Sequence, residues 1–286
     1  MKKTTLVLVL MLLFLNTIQA QHKYAYKIYT NKGKSISYGK MIKKLDVADV
    51  VFFGEFHNNS ISHWLQLELV KDRSKKSNLV LGAEMFEADQ QSALNDYLEG
   101  KLNQKALDTV ITLWPNYHTD YKPLVDFAME NKLPFIATNI PRRFANEVYK
   151  KGGFEALVPL TQEQKEWMAP LPIAFDINLP QYQNMLKMMG DHGTVDMVKA
   201  QAMKDATMAY FISKNLKKQT QFIHFNGSYH SNYKEGIVWY LHQYKPSLEI
   251  KTITTVEQEN IEKLDKENFD KADFIICVDA DVTKTY

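Results

Sequence analysis

Six short runs of apolar or β-branched residues punctuate the chain, at 50–53, 79–83, 134–137, 222–225, 249–254 and 274–278. Strands read this way when both sides of the pleat meet packed structure rather than water. Helical spacing fills the intervals. Ile61, Trp64, Leu65 and Leu69 recur with helix periodicity after Asn58-Asn59-Ser60, which can supply an N-cap. Leu124, Phe127 and Ala128 repeat the pattern before the third run. Alternating strand and helix predicts an α/β fold, a largely parallel sheet flanked by helices. Two intervals are too long for simple crossovers. Residues 87–132 hold helical patterns at 90–102 and 104–113, and residues 152–218 hold more around Pro170-Leu171-Pro172 and Pro180. We read both as helical insertions that form a small subdomain beside the sheet. The second carries Met185, Met188, Met189, Met197, Met203 and Met208, residues suited to an irregular core or to the lining of a flat apolar pocket. The charge-rich stretch 257–271 predicts a solvated helix between the last two strands.

The N-terminus reads differently. Lys2 and Lys3 precede an apolar run over 6–15 and the small-residue site Ile18-Gln19-Ala20, the pattern of a secretory signal peptide. A bilayer span needs about 20 residues, so this run is too short to be one. The expected organisation is a signal peptide at 1–20 and a single α/β domain at 21–286. No cysteine follows the run, so export to the periplasm or cell envelope without a lipid anchor is predicted. Losing Lys2 and Lys3 lowers Lys+Arg from 35 to 33, equal to the 33 Asp+Glu. A neutral chain lacks the basic surplus of a nucleic-acid binder. The single cysteine, Cys277, lies in a strand-like run and reads as a buried apolar residue rather than a nucleophile.

Candidate chemistry gathers where the runs end. The first ends in Gly54-Glu55-Phe56-His57-Asn58, the second in Gly82-Ala83-Glu84-Met85-Phe86, the third in Thr138-Asn139-Ile140-Pro141-Arg142-Arg143, and the fourth in Asn226-Gly227-Ser228-Tyr229-His230. Two are matching Gly-x-x-His motifs, in which glycine lets the chain turn without a β-carbon clash. Open α/β sheets bind ligands outside the carboxyl ends of their strands. Glu55, His57, Glu84 and His230 have the composition of a divalent-metal site or of an acid/base cluster. The plainer alternatives are a helix cap at His57 or Asn58, a buried Glu84–Arg142 ion pair, or a structural polar network in a partner-binding protein. Arg142 and Arg143 open a helix after proline and suit an anion. Gln201 and Asp205 are one helical turn apart and share a face, from which they could reach site residues.

These pieces, in this order, resemble the Tiki/TraB/erythromycin-esterase/ChaN superfamily, and within it the ChaN-type haem-binding uptake proteins. The resemblance extends through Asp96-Tyr97-Leu98-Glu99-Gly100, Tyr121-Lys122-Pro123-Leu124, Asn139-Ile140-Pro141-Arg142 and the helical stretch from Ala200 to Ala209. It implies haem binding at the cell envelope, a homodimer, an outer-membrane or envelope uptake partner, and a part in iron acquisition. Haem needs an axial ligand. Tyr182 and His192, beside Met185, Met188 and Met189, are one candidate group, and Tyr117 with His118 is a second. Arg142 would meet a propionate. The alternative is a metal-dependent or acid/base hydrolase that uses Glu55, His57, Glu84 and His230, since superfamily relatives include hydrolytic enzymes.

Overall fold

A computed structural model describes residues 23–286, so the expected signal peptide and cleavage site lie outside the described residues. Eight strands form one sheet: β1 (Tyr26–Thr30), β2 (Ser35–Ile36), β3 (Val50–Glu55), β4 (Asn78–Glu87), β5 (Phe135–Asn139), β6 (Thr220–Gly227), β7 (Ile250–Gln258) and β8 (Phe274–Asp279). Their order is β2-β1-β8-β7-β3-β6-β4-β5. The stretch from β8 to β5 is parallel and matches the six apolar runs. β1 and β2 are additional, an antiparallel hairpin on the β8 edge. Only Ile28 and Tyr29 of β1 are fully buried, so this edge strand lacks a continuous apolar run.

The pleat sends alternate side chains to opposite faces. Val51, Phe53, Leu81, Ile223 and Phe225 meet one helical layer. It comprises α1 (Tyr38–Lys44), α2 (Ser60–Ser74), α3 (Gln91–Leu98), α4 (Gln104–Val110) and α5 (Lys122–Glu130). Val50, Phe52, Val80 and Phe222 meet the other layer. That layer draws on α6 (Arg142–Lys150), α8 (Pro180–Met189), α9 (Val195–Asn215) and α10 (Ile237–Tyr244), with α7 (Gln162–Lys165) on the outside. The long excursion at 87–132 therefore supplies α3 to α5, and that at 152–218 supplies α7 to α9. The capping expectation for α2 is met by Asn59, whose side chain accepts from Ser62 N at 2.9 Å. Trp64 departs from the expected buried stripe: it is 48 % exposed and touches Tyr26 edge-on.

The expected helix at 257–271 is absent. β7 continues through Gln258, and the connection holds only a 3-10 turn at Lys266–Asn268. Ile261 and Leu264 fold back against Tyr29, Val256, Ile275 and Cys277, covering sheet that no helix reaches. The Gln258 side chain organises this loop. It donates to Asn260 O and Lys263 O at 3.0 and 3.1 Å, and accepts from Asp265 N and Asn268 Nδ2 at 3.0 Å each. Cys277 is fully buried, and burial pushes its thiol up to about 12, in keeping with an inert core residue.

Candidate functional site

Strand register assembles the site. Glu55 at the end of β3 sits opposite Gly227 at the end of β6, and Ala83 of β4 sits opposite Phe225. Glu55, Glu84, His57 and His230 therefore emerge at the carboxyl ends of three adjacent strands, as expected of a ligand crevice. The two glycine motifs interlock. A β-carbon on Gly54 would lie 2.8 Å from Ser228 Cα, and one on Gly227 would lie 2.9 Å from His57 Cε1. Each motif's glycine makes room for the other motif. Gly227 has φ −53°, a conformation open to any residue, so close approach rather than a special turn requires glycine there.

The site has two halves. In the first, the buried Glu55 carboxylate is surrounded by donors. Its Oε1 lies 3.0 Å from His57 Nδ1 and accepts the Tyr121 hydroxyl, and its Oε2 accepts from Gln66 Nε2. Burial works to raise the Glu55 carboxyl, but the nearby His63, the His57 hydrogen bond and Tyr121 together hold it below its usual value. The anionic Glu55 fixes the His57 tautomer with hydrogen on Nδ1, leaving Nε2 as the accepting nitrogen. Burial lowers the His57 imidazole, and the Glu55 hydrogen bond and Glu84 charge outweigh it, so the net shift is upward. The His57 side chain is 40 % exposed and rests edge-on against Trp114, 4.8 Å between centroids.

The second half is fully buried. His230 Nδ1 lies 2.5 Å from Asp205 Oδ1 and Nε2 lies 3.1 Å from Glu84 Oε1. Gly227 N donates to Glu84 Oε2 at 2.8 Å, and Tyr182 Oη donates to Asp205 Oδ2 at 3.0 Å. Burial opposes charge on His230, yet Glu84 and Asp205 raise it to about 10, so it is an imidazolium at neutral pH. Burial alone would raise Glu84, but His230, His57 and Lys204 pull it well below the carboxylate range. Burial raises Asp205, which His230 and Tyr182 offset only in part. Gln201 Nε2 lies 2.9 Å from His230 Nδ1, so Gln201 and Asp205 reach the site from one face of α9.

Several expectations are corrected by this geometry. Glu84 does not pair with Arg142, because His230 and the Gly227 amide take both of its oxygens. Neither His57 nor Asn58 caps α2. Among the described residues no group of three or more His, Cys, Asp or Glu side chains is placed to hold a metal ion. His230 faces a carboxylate with each ring nitrogen. Glu55, His57, Glu84 and His230 thus form coupled carboxylate–imidazole pairs rather than a ligand set.

The haem-ligand candidates also separate. Tyr182 is 1 % exposed with its hydroxyl committed to Asp205, which removes it as an axial ligand. Tyr117 is equally buried, and among the described residues its hydroxyl makes no well-formed hydrogen bond, only a weak approach to Gln104. Burial holds both phenols above their usual range, against the phenolate that iron would take. His118 is exposed, 3.6 Å from Asp108. His192 is exposed on a 3-10 turn that follows α8. Beside it Met188 and Met189 are 78 % and 45 % exposed, and Val195 is exposed as well. Arg142 is exposed at the start of α6, and its side chain enters no ion pair among the described residues. Neither His192 nor Arg142 bonds to the four strand-end residues.

Four site residues were not singled out from the sequence, His63, Gln66, Asn116 and Asp120, and Tyr121 entered only within the family-like stretch Tyr121-Lys122-Pro123-Leu124. His63 and Gln66 lie on the buried stripe of α2 with Leu69, Val70 and Arg73. Helical spacing counted over polar as well as apolar positions exposes them. Asn116, Asp120 and Tyr121 stand on or beside a five-residue π turn, Tyr117–Tyr121, for which no periodicity was available.

The sequence model of the family described as haem-binding uptake, Tiki superfamily, ChaN matches residues 41–241. The solved structure titled cofacial heme binding to ChaN of Campylobacter jejuni superposes with TM-score 0.67 at 17 % identity, covering 89 % of this chain and 97 % of that one. A mutant erythromycin esterase in its open conformation superposes with TM-score 0.50 at 10 % identity, covering 90 % and 99 %. Among curated proteins, RETICULATA-RELATED 5, chloroplastic, of Arabidopsis thaliana is 27 % identical over 132 residues, 42 % of this chain and 18 % of that protein's length. These likenesses at low identity carry the fold.

Proposed function

The chain belongs to the ChaN family of haem-binding uptake proteins in the Tiki superfamily, and from that premise we propose an exported haem-binding protein acting in haem or iron uptake or handling at the cell envelope. The observation that carries the reading is the exposure of Met188, Met189 and Val195 close in sequence to His192, itself exposed and without a hydrogen bond or ion pair among the described residues. Haem, when bound, would supply a ferric centre that takes a donor atom from the protein. His192 would offer that donor, the methionines would cover apolar edge, and Arg142 is a candidate for a propionate. A homodimer and an envelope uptake partner belong to the same proposal. The test is a hemin titration of residues 21–286, followed by visible absorption. A saturable band that His192→Ala weakens and Tyr182→Phe leaves in place supports the reading. A featureless titration rejects it. Light scattering with and without hemin reads the dimer.

A second reading is favoured by His57. It is the accessible imidazole of the strand-end cluster, oriented by a buried carboxylate with Nε2 left to accept a proton, which is the arrangement of a general base. An acid/base hydrolase would place its substrate over His57, with the buried His230–Glu84 pair fixing the charge behind it. Hydrolysis of an ester or peptide library that His57→Ala abolishes supports this reading. No turnover above the variant's level counts against it.

A further inference from the structure

We propose that the segment 283–285 is a strap that positions the His57 imidazole, with Thr285 as its positioning residue. The inference goes beyond both functional readings, since it concerns how His57 is held whatever it contacts. Three consecutive residues of the β3–α2 loop are tied to this segment or to its partners. Lys284 forms an isolated antiparallel bridge with Asn59, and its Nζ donates to Glu257 Oε1, which also accepts Asn59 Nδ2 at 2.7 Å. Thr285 N donates to Asn58 O at 3.0 Å. Thr285 Oγ1 donates to Asp120 Oδ2 at 2.6 Å, the same oxygen takes Asn116 Nδ2 at 2.6 Å, and Asn116 Nδ2 donates to His57 O at 2.6 Å. His63 Nε2 adds a second bond to that carbonyl at 3.0 Å.

A hydroxyl on the segment thus reaches the His57 backbone through two buried side chains. Asp120 is buried and needs its donors. Losing Thr285 Oγ1 removes the donor that ties the segment to the Asp120–Asn116 pair. The His57 ring bonds to Glu55, meets the Trp114 edge and abuts the Gly227 backbone, so its pose depends on where the loop backbone is fixed. A tail that merely docked would touch surface. This one closes a network on the backbone of the one accessible histidine of the cluster.

Thr285→Val removes the hydroxyl and keeps the shape and the backbone amide, and Thr285→Ser restores the hydroxyl. Two readouts need neither haem nor substrate, so they stand apart from the success of either functional reading. One is the imidazole Cε1–H resonance of His57, assigned with His57→Gln. The other is the rate at which diethyl pyrocarbonate modifies His57, followed by peptide mass. The valine variant should displace the resonance and raise the modification rate by roughly threefold, the scale of one hydrogen bond lost from the closed loop. The serine variant should return both to wild type. A valine variant with a wild-type resonance and rate overturns the proposal, even if it melts earlier, because docking alone predicts that result. If the valine variant does not fold, Lys284→Gln on the outer side of the strap takes the same readouts. It is expected to move in the same direction, and no movement there also overturns the proposal.

Discussion

His230 lies between two buried carboxylates, so the value of each partner is set by what its loss leaves behind. Removing Glu84 leaves His230 Nε2 and the Gly227 amide without their buried acceptor, while Asp205 still holds Nδ1. Glu84→Ala is therefore expected to lose at least about 2 kcal/mol of unfolding free energy, measured by urea titration. A loss below about 1 kcal/mol would mean the pair is solvated in solution. Tyr117→Phe should behave in the opposite sense. Among the described residues its buried hydroxyl makes no well-formed hydrogen bond, only a weak approach to Gln104, so deleting it removes a desolvation penalty, and the melting temperature should hold or rise by a few degrees. At this scale the sequence revealed which groups gather: Glu55, His57, Glu84 and His230 each follow an apolar run and all meet. It did not reveal which way a helical tyrosine faces. Tyr182 sits near the start of α8 and turns inward to Asp205, while His192 stays in solvent. Local spacing carries no information on that choice, since it depends on α9 packing across from α8.

Elements position these residues through close contact more than through propensity. Gly227→Ala would push a methyl against the His57 ring, at 2.9 Å from Cε1, and that ring has Trp114 beside it. The expected result is displacement of the His57 resonance with a loss of about 1–3 kcal/mol in stability. A variant with an unchanged His57 spectrum would show that the ring moves freely. Asn59→Ala removes the α2 cap and should cost about 1 kcal/mol, read as a lower urea midpoint. The parallel strands were legible because burial on both faces demands continuous apolar runs. The β1–β2 hairpin was not, because an edge strand needs no such run. The connection at 257–271 misled for a related reason. Its charges suggested a solvated helix, while Ile261 and Leu264, two residues among many polar ones, decide the outcome by covering bare sheet. The π turn that carries Asp120 and Tyr121 is set by Glu55 and Thr285, both distant in sequence, together with the neighbouring Asn116.

At the scale of the whole molecule, the two halves of the site make stability depend on pH in a definable window. His230 is raised to about 10 from an ordinary 6.5. A group raised on folding contributes stability that is complete below its unfolded value and is lost as pH climbs through the folded one. The His230 contribution is therefore full below pH 6.5 and gone above about 10. Glu84 has the opposite sign: held below its ordinary 4.5, it contributes above that value and loses its contribution as pH falls. Asp205, raised by burial, works against Glu84, contributing most where it is protonated. The contributions of Glu84 and His230 are both complete only between pH 4.5 and 6.5. Urea unfolding at about pH 5.5, 7.5 and 9.5 should show the midpoint falling steadily toward the alkaline end. Lysines and tyrosines titrate toward that end as well, so the decisive comparison is with His230→Gln. Glutamine cannot hold the charge between Glu84 and Asp205, so that variant should start lower and fall less steeply across the same range. Equal slopes in the two proteins would mean that His230 is neutral in the folded state, and the carboxylates around it would then have to be held by protons of their own.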